Sequence, residues 1–470
     1  MSISSLRLLN FKCFEDSGTI RLAPLTVIFG KNNSGKSSIL QSLLLLRQTL
    51  DSSSYGPHLD LRGRLYTAGS YSDIVFAHDS KLKLGIHVTL PTLRESLSAS
   101  APLRGPRPSL ARPSPSGRGR APATEVRLEF GLDEPRPPPL TRLHVLDKAL
   151  KADLEIRRGR GRGGPYELWI DEKSKGNEHK ANFRFPVNRF FPLLGEEPPR
   201  GGRPSERHDE VREYARDALD ELESALKGLR AVGAFRRPPE RSYDFEGRAA
   251  EIVDVLGENV VNALIDDATR KRHAGELIRN VNRWLKEVGR VKLCPFKPIS
   301  QRSKKYEVRL RDVDSGRWAH FADVGFGIGQ MFPVIVEGLR TPPDGTFLVQ
   351  EPEIHLHPDA QLGMADFLIY LAESGRRVIV ETHSEALLLR LRRRLADSRR
   401  GNGRVGNALA THDVSIVVVT KDERGASRTN AMEIDELGQI DRWPANFMDE
   451  AGDERMALLE AIARRSESRR

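Results

Sequence analysis

Gly30-Lys31-Asn32-Asn33-Ser34-Gly35-Lys36-Ser37 decides how the rest of this chain is read. The stretch fits G-x-x-x-x-G-K-[ST]. The apolar run Thr26-Val27-Ile28-Phe29 precedes it, and Ser38-Ile39-Leu40-Gln41-Ser42-Leu43-Leu44-Leu45-Leu46, which reads as a helix, follows. Strand, glycine-bearing loop and helix are the context that gives this motif its meaning. Glycine lets the backbone turn its N–H groups inward, and the helix N-terminus adds partial positive charge. Gly30, Asn32, Asn33, Ser34, Gly35, Lys36, Ser37 and Ser38 are therefore expected to cradle phosphates. Lys36 is expected to reach the β- and γ-phosphates, and the Ser37 hydroxyl to ligate Mg²⁺.

Two later stretches belong with this loop. One is Asp323-Val324-Gly325-Phe326-Gly327-Ile328-Gly329-Gln330. The other is Gln350-Glu351-Pro352-Glu353-Ile354-His355-Leu356-His357-Pro358, with Thr382-His383-Ser384 shortly after it. Around them the pattern alternates between short apolar strands and helices. Thr346–Val349, Arg377–Val380 and Ser415–Val419 read as strands; Gln330–Leu339, Asp359–Ala372 and Ser384–Leu395 read as helices. Continuous apolar strands between helices indicate an α/β fold with a parallel sheet covered on both faces. The nucleotide site is thus split along the chain.

Between the two parts the pattern differs. Ser4–Phe11, Thr19–Leu22, Lys81–Leu90, Glu125–Phe130, Leu150–Ile156 and Tyr166–Ile170 read as strands. Pro91–Ala123, Arg157–Arg162 and Pro198–Pro204 are Arg-, Pro- and Gly-rich and are expected to be flexible. Glu210–Leu229 and Ala249–Val288 carry apolar residues at helical spacing and read as a helical region rather than core sheet, without a sustained heptad. We divide the chain into 1–90, with the phosphate loop; 91–207, strands with flexible insertions; 208–290, a helical insertion; and 291–470, with the later motifs.

Composition limits the function classes. The 470 residues suffice for two or three domains, and no run of 18 apolar residues suggests a membrane span. The N-terminal residues alternate and carry Arg7 and Lys12, unlike a signal peptide. Cys13 and Cys294 cannot form a disulfide framework, so the cytoplasm is the simplest compartment. The net charge of +10 fits a DNA partner, but much of it sits in the Arg-rich segments, and both readings stay open.

The ordered motifs resemble the ABC-type ATPases of the RecF, SMC and OLD group. Leu6–Phe14 looks like that group's opening strand, Phe29–Ser38 its Walker A, Asp323–Gln330 its signature, and Leu348–Glu353 its Walker B. Ile354–Pro358 then stands as the D-loop region and His383 as the switch histidine. Phe235–Arg241 and Arg442–Glu450 resemble stretches of stand-alone prokaryotic members, many of them found in phage-defence systems. The resemblance implies a two-lobed, split P-loop NTPase head with an inserted helical region. It implies ATP and Mg²⁺, with Glu351 as general base and His383 holding it in line. Gly325, Gly327, Gly329 and Gln330 are implied to grip the γ-phosphate bound by a second subunit, so a homodimer or higher homo-oligomer forms through the heads. Two departures stand out. Gln350 occupies the usually acidic metal-holding position, and Gly329 the place of a signature serine. Slow hydrolysis is the expectation, with a binding-only scaffold as the alternative.

Other candidates are weaker. His355 and His357 invite a metal reading, but their i, i+2 spacing before Pro358 favours shaping the D-loop. Asp73 either senses the metal or caps a turn. Arg236, Arg237 and Arg241 either touch phosphate or DNA or make ordinary ion pairs. The residues after His383 carry Asp413, Asp422 and Asp435 but no D-x-D nuclease cluster. A separate effector, a nuclease or toxin, is therefore expected, and the leading reading is the sensor ATPase of an anti-phage defence module. Its rival is a RecF-like repair clamp that binds DNA directly, with a steep salt dependence.

Overall fold

The computed structural model describes residues 3–52, 57–91, 123–132, 137–147, 152–159, 166–172, 177–183, 190–191, 206–247, 255–269, 275–300, 304–398 and 409–440. Its N-terminal part lays down β1 (Ser5–Phe11), β2 (Phe14–Asp16), β3 (Ile20–Arg21) and β4 (Leu25–Gly30). Then come helix α1 (Lys36–Asp51), a short α2 (Tyr71–Ile74), and β5 (Leu84–Leu90) to β6 (Thr124–Phe130). The strands β7 (Leu140–Asp147), β8 (Ala152–Arg158), β9 (Tyr166–Glu172) and β10 (Asn177–Phe183) follow, then the 22-residue α3 (Glu206–Lys227). Next are β11 (Leu229–Val232), β12 (Tyr243–Asp244), α4 (Val260–Thr269) and α5 (Glu276–Gly289). Short strands β13 (Val291–Leu293), β14 (Lys297–Pro298), β15 (Lys305–Glu307), β16 (Arg309–Asp312) and β17 (Trp318–His320) form two small sheets with β12. The chain closes with α6 (Phe326–Arg340), β18 (Thr346–Gln350), α7 (Pro358–Glu373), β19 (Arg377–Glu381), α8 (Glu385–Ser398), β20 (Val414–Lys421) and β21 (Ser427–Met432).

Six of these strands make the sheet that carries the site, in the order β11-β18-β19-β4-β20-β21. All its pairings are parallel except that of the edge strand β21. Both faces of β4, β18, β19 and β20 are buried, which is why these strands are continuous apolar runs. Ile28, Leu348, Ile379, Val417 and Val419 point into one core, with α1, α3 and the antiparallel sheet. Val27, Phe29, Val349, Val380 and Val418 point into the other, with α4 to α8. The period-two alternation of a strand thus serves two cores at once. The antiparallel sheet runs β10-β9-β8-β7-β6-β5-β1-β2, with β3 paired on β1.

Several sequence expectations change here. Leu229, read as the end of a helix, instead opens the strand Leu229–Val232, paired in parallel with Thr346–Val349 in the core sheet. Gly228 ends the helix before it, so the stretch 208–290 is not purely helical. Arg157 and Arg158 lie in β8 instead of a flexible insertion, and Arg157 donates to both oxygens of Glu155. β7 and β10 were not foreseen. Most of Pro91–Ala123, and all of 160–162, Pro198–Pro204 and Arg442–Glu450, lie outside the described residues. Among the described residues no helix is long and apolar enough to cross a membrane.

Candidate functional site

The site is built where parallel strands end. β4 delivers Gly30 into the loop with φ of 155°, a conformation suited to glycine. A Cβ there would meet Val419 O at 2.5 Å and Ser34 Oγ at 2.6 Å. Gly35, with φ of 103°, caps α1, and a Cβ there would collide with Cys13 Sγ. Close packing therefore requires glycine at both positions, against the Val419 backbone at Gly30 and the Cys13 side chain at Gly35. The Ser34 hydroxyl is buried without a hydrogen-bond partner among the described residues. Asn32 and Asn33 are exposed on the loop, Asn33 with φ of 60°, while Ser38 is buried in the first turn of α1.

Lys36 is 4% exposed, and its Nζ donates to Gly30 O and Lys31 O, both at 2.9 Å. Burial lowers its ammonium from the ordinary lysine value, and the nearby charges of Glu381 and Glu351 oppose that shift. Ser37 Oγ donates to Glu381 Oε1 at 2.6 Å. Gln350 Nε2 donates to the other oxygen, Glu381 Oε2, at 2.7 Å. One carboxylate thus joins the phosphate loop to the strand end that bears the neutral Gln350.

Glu351 follows directly. Its φ is 44°, a left-handed conformation that costs a non-glycine residue about 1 kcal/mol or more. Its N–H donates to Glu381 O at 2.7 Å, and its Oε1 lies 3.9 Å from His383 Nε2. Both side chains are partly exposed, at 28% and 37%. The Glu353 carboxylate lies behind them, buried, accepting from Thr382 Oγ1 at 2.6 Å and His383 N at 2.7 Å. Burial holds its carboxyl above the usual carboxylate range, with the Glu351 charge adding to the rise and those hydrogen bonds opposing it. Glu353 therefore fixes the turn that presents His383.

Arg236 locks this end in place. It is 6% exposed and donates to Gln330 O (3.2 Å), Gln350 O (2.6 Å) and Glu351 O (3.1 Å). Burial pulls its guanidinium down to about 10, against the favourable charges of Glu353 and Glu351. Arg237 pairs with Glu258, and Arg241 makes a bidentate pair with Asp323. The three arginines are thus engaged within the chain.

The structure does not bring every candidate together. Gly325 is exposed at the start of α6 and Gly327 lies against the His355 carbonyl, where a Cβ would sit 2.5 Å away. Gly329 is buried under Pro239, which a Cβ would meet at 2.8 Å, so a serine at this position has no room. Gln330 is also buried, and its Nε2 donates to Arg236 O at 3.3 Å. Asp73 accepts from the Ser70 N–H and hydroxyl, both at 2.7 Å, and closes a capping box at α2. That settles its geometry as a cap. His355 packs edge-on against Phe326, with centroids 4.7 Å apart. Among the described residues no group of three or more His, Cys, Asp or Glu is arranged to hold a metal. Mg²⁺ does not require one, since it keeps several waters and takes one or two carboxylates plus substrate phosphates.

Sequence reading missed Glu381, Glu353 and the inward role of Arg236. The signal for Glu381 was present. A neutral residue ends β18, and an acid ends the next apolar run in the sequence, just before Thr382-His383.

Residues 25–390 match the family described as "AAA domain, putative AbiEii toxin, Type IV TA system". The chain belongs to this AAA-domain family. The fold is accordingly the α/β P-loop NTPase expected from the motifs, and the site is that of a nucleotide-binding ATPase domain. Residues 409–458 of this AAA protein match a second family, "Protein of unknown function (DUF3696)". No curated protein matches the chain. Solved structures similar to it include an Smc head bound to the C-winged helix domain of ScpA, with 11% identity and a TM-score of 0.45, covering 93% of this chain and 99% of that one. An SMC head domain from Thermotoga maritima is 12% identical with a TM-score of 0.40, covering 92% and 100%. An Smc head domain with an extended coiled coil, bound to the C-terminal domain of ScpA and derived from Pyrococcus furiosus, is 11% identical with a TM-score of 0.42, covering 98% and 99%.

Proposed function

We propose that this AAA domain binds ATP with Mg²⁺ on the phosphate loop and hydrolyses it slowly, with Glu351 as general base and His383 as its positioning partner. The observation that carries the reading is the convergence of Lys36, Ser37, Glu351 and His383 at the carboxyl ends of adjacent parallel strands. In an open α/β sheet that edge is where ligands bind. The donor set suits the group. Ser37 and a nearby carboxylate fit Mg²⁺, two glycine cradles fit a phosphate chain, and the Ser34 hydroxyl, without a partner among the described residues, lies within the loop. Magnesium would neutralise phosphate charge during transfer. The strained Glu351 backbone holds the carboxylate at the mouth, and His383 at 3.9 Å needs only a small closure to meet it.

Two heads closing on two nucleotides complete this reading. Gly325 is exposed at the N-terminus of α6, and the adjacent Phe326 ring is 55% exposed, so this end of the helix remains open to a second head. Closure then governs a separate effector in prokaryotic anti-phage defence, as the motif resemblance implies; the family wording itself supports a type IV TA setting. The test is phosphate release and oligomer mass for wild type and Glu351→Gln, with and without duplex DNA. Lost turnover with an ATP-locked dimer retained is the expected result. Tight ATP binding by wild type without phosphate release would refute hydrolysis and leave a binding scaffold. Turnover stimulated by DNA in a salt-sensitive way would favour the repair-clamp rival.

A further inference from the structure

The neutral Gln350 poses a chemical problem for a nucleotide site that uses Mg²⁺, because the strand end beside the general base lacks its acid. Sheet order supplies an answer. β19 lies between β18 and β4, and Glu381 is the register partner of both Gln350 and Ile28. The carboxylate at 381 is therefore one strand nearer the phosphate loop than residue 350 is. It reaches Ser37 Oγ at 2.6 Å, the hydroxyl that the loop offers to a metal.

We infer that Glu381 is the metal-holding carboxylate of this site, displaced by one strand, and that Gln350 is the positioning residue that orients it. This rests on the nucleotide reading above. A carboxylate offers about four lone-pair sites, and Ser37 and Gln350 use one on each oxygen, which leaves capacity for a metal-bound water or the ion itself. The neutral residue at 350 then has a cause. An aspartate beside Glu381 on the adjoining strand would set two like charges side by side, whereas the glutamine amide donates a hydrogen bond and fixes the carboxylate's rotation. Glu381 is 3% exposed, so this orientation is made inside the protein rather than in water. Lys36 senses the same charge, which places cation, carboxylate and metal-binding hydroxyl around one point.

The test separates metal from nucleotide. Binding of a fluorescent ATP analogue is measured in EDTA and in Mg²⁺, and Mn²⁺ affinity of the ADP complex by loss of the free-ion EPR signal. The variants are wild type, Glu381→Gln, and Gln350→Asp/Glu381→Gln. For Glu381→Gln, Mn²⁺ affinity should fall at least about ten-fold while nucleotide affinity in EDTA stays within about two-fold. The double variant, which returns the acid to the other strand end, should recover most of the lost Mn²⁺ affinity. If Glu381→Gln does not fold, Glu381→Asp, which keeps the charge but draws the carboxylate back by one methylene, should show the same direction of change. Unchanged Mn²⁺ affinity in whichever of these variants folds would overturn the inference and leave Glu381 as a brace for the loop. Wild type that binds no nucleotide in either condition would instead overturn the nucleotide reading itself.

Discussion

Replacing Arg236 with methionine should loosen the end of the site that holds Glu351 while leaving the phosphate loop intact. Three hydrogen bonds are removed, to the carbonyls of Gln330, Gln350 and Glu351. At about 2 kcal/mol for each bond from a charged donor, the gross loss is roughly 6 kcal/mol. Methionine also relieves the burial of a cation. That burial is seen in a guanidinium pulled down to about 10 from 12.5, a shift worth roughly 3 kcal/mol. The net is a local destabilisation of about 3 kcal/mol, or roughly a hundred-fold in an opening equilibrium. Amide hydrogen exchange reads it directly. The Glu351 N–H, bonded to Glu381 O, and the Ile354 N–H, bonded to Glu351 O, should both exchange roughly a hundred times faster in Arg236→Met. The exposed pair of Arg241 and Asp323 provides the control, since Arg241→Met should change exchange by no more than about 0.5 kcal/mol. Exchange at Glu351 within about three-fold of wild type would show that Arg236 does not hold the loop, and the reasoning from its buried bonds would fail.

Gly329→Ser restores the hydroxyl that signature motifs carry, yet it should weaken the protein rather than activate it. The added Cβ meets Pro239 Cδ and Cγ at 2.8 Å, an overpacking that costs about 1–3 kcal/mol; a denaturant melt checks this, and faster turnover with unchanged stability would contradict it. His87 in β5 gives an acid-sensitive element. Burial first, then Arg127 and Arg7, push its imidazole down to about 4, while Glu125 and Asp16 oppose them. The folded state therefore favours the neutral ring, so its contribution is fully present above pH 6.5 and is lost as pH falls from there to 4. A shift from 6.5 to about 4 amounts to roughly 3 kcal/mol. Denaturant midpoints should fall as the pH drops between those values for wild type and stay nearly level for His87→Leu.

The parallel sheet was legible because both faces of β4, β18, β19 and β20 are buried, which turns each strand into an uninterrupted apolar word between helices. The Gly30–Ser37 loop and the Glu351 and His383 motifs were legible for the same reason: each sits directly after such a strand. β11 was hidden because its four residues follow a long amphipathic helix with only Gly228 between, and the helical pattern of that stretch extends onto Leu229. The pairing of Gln350 with Glu381 was hidden for a different reason. It depends on which strands are neighbours, and strand order is not written in any local window of sequence. Arg236 was hidden by its company, since Pro-rich turns with three arginines usually lie in solvent. Burial of this one guanidinium follows only from where the Gln330 and Gln350 carbonyls come to rest.

The two halves of the site are held by different means, and this bears on how it could respond to nucleotide. The phosphate loop is gripped from the antiparallel side. Ser427 Oγ donates to Ser34 O at 2.6 Å, Ser427 N to Cys13 O at 2.8 Å, and Lys12 Nζ to Gln41 Oε1 at 2.6 Å. The β1–β2 turn and the β20–β21 hairpin thus clamp the loop and the start of α1. Glu351, in contrast, sits in a strained backbone held by Glu381 O on one side and Arg236 on the other, and Arg236 also holds the α6 carbonyl of Gln330. Arg236 therefore ties the position of α6 to that of Glu351, while the contacts that clamp the phosphate loop come from other elements. On the head-to-head reading proposed above, pressure on the exposed start of α6 would reach Glu351 by that route.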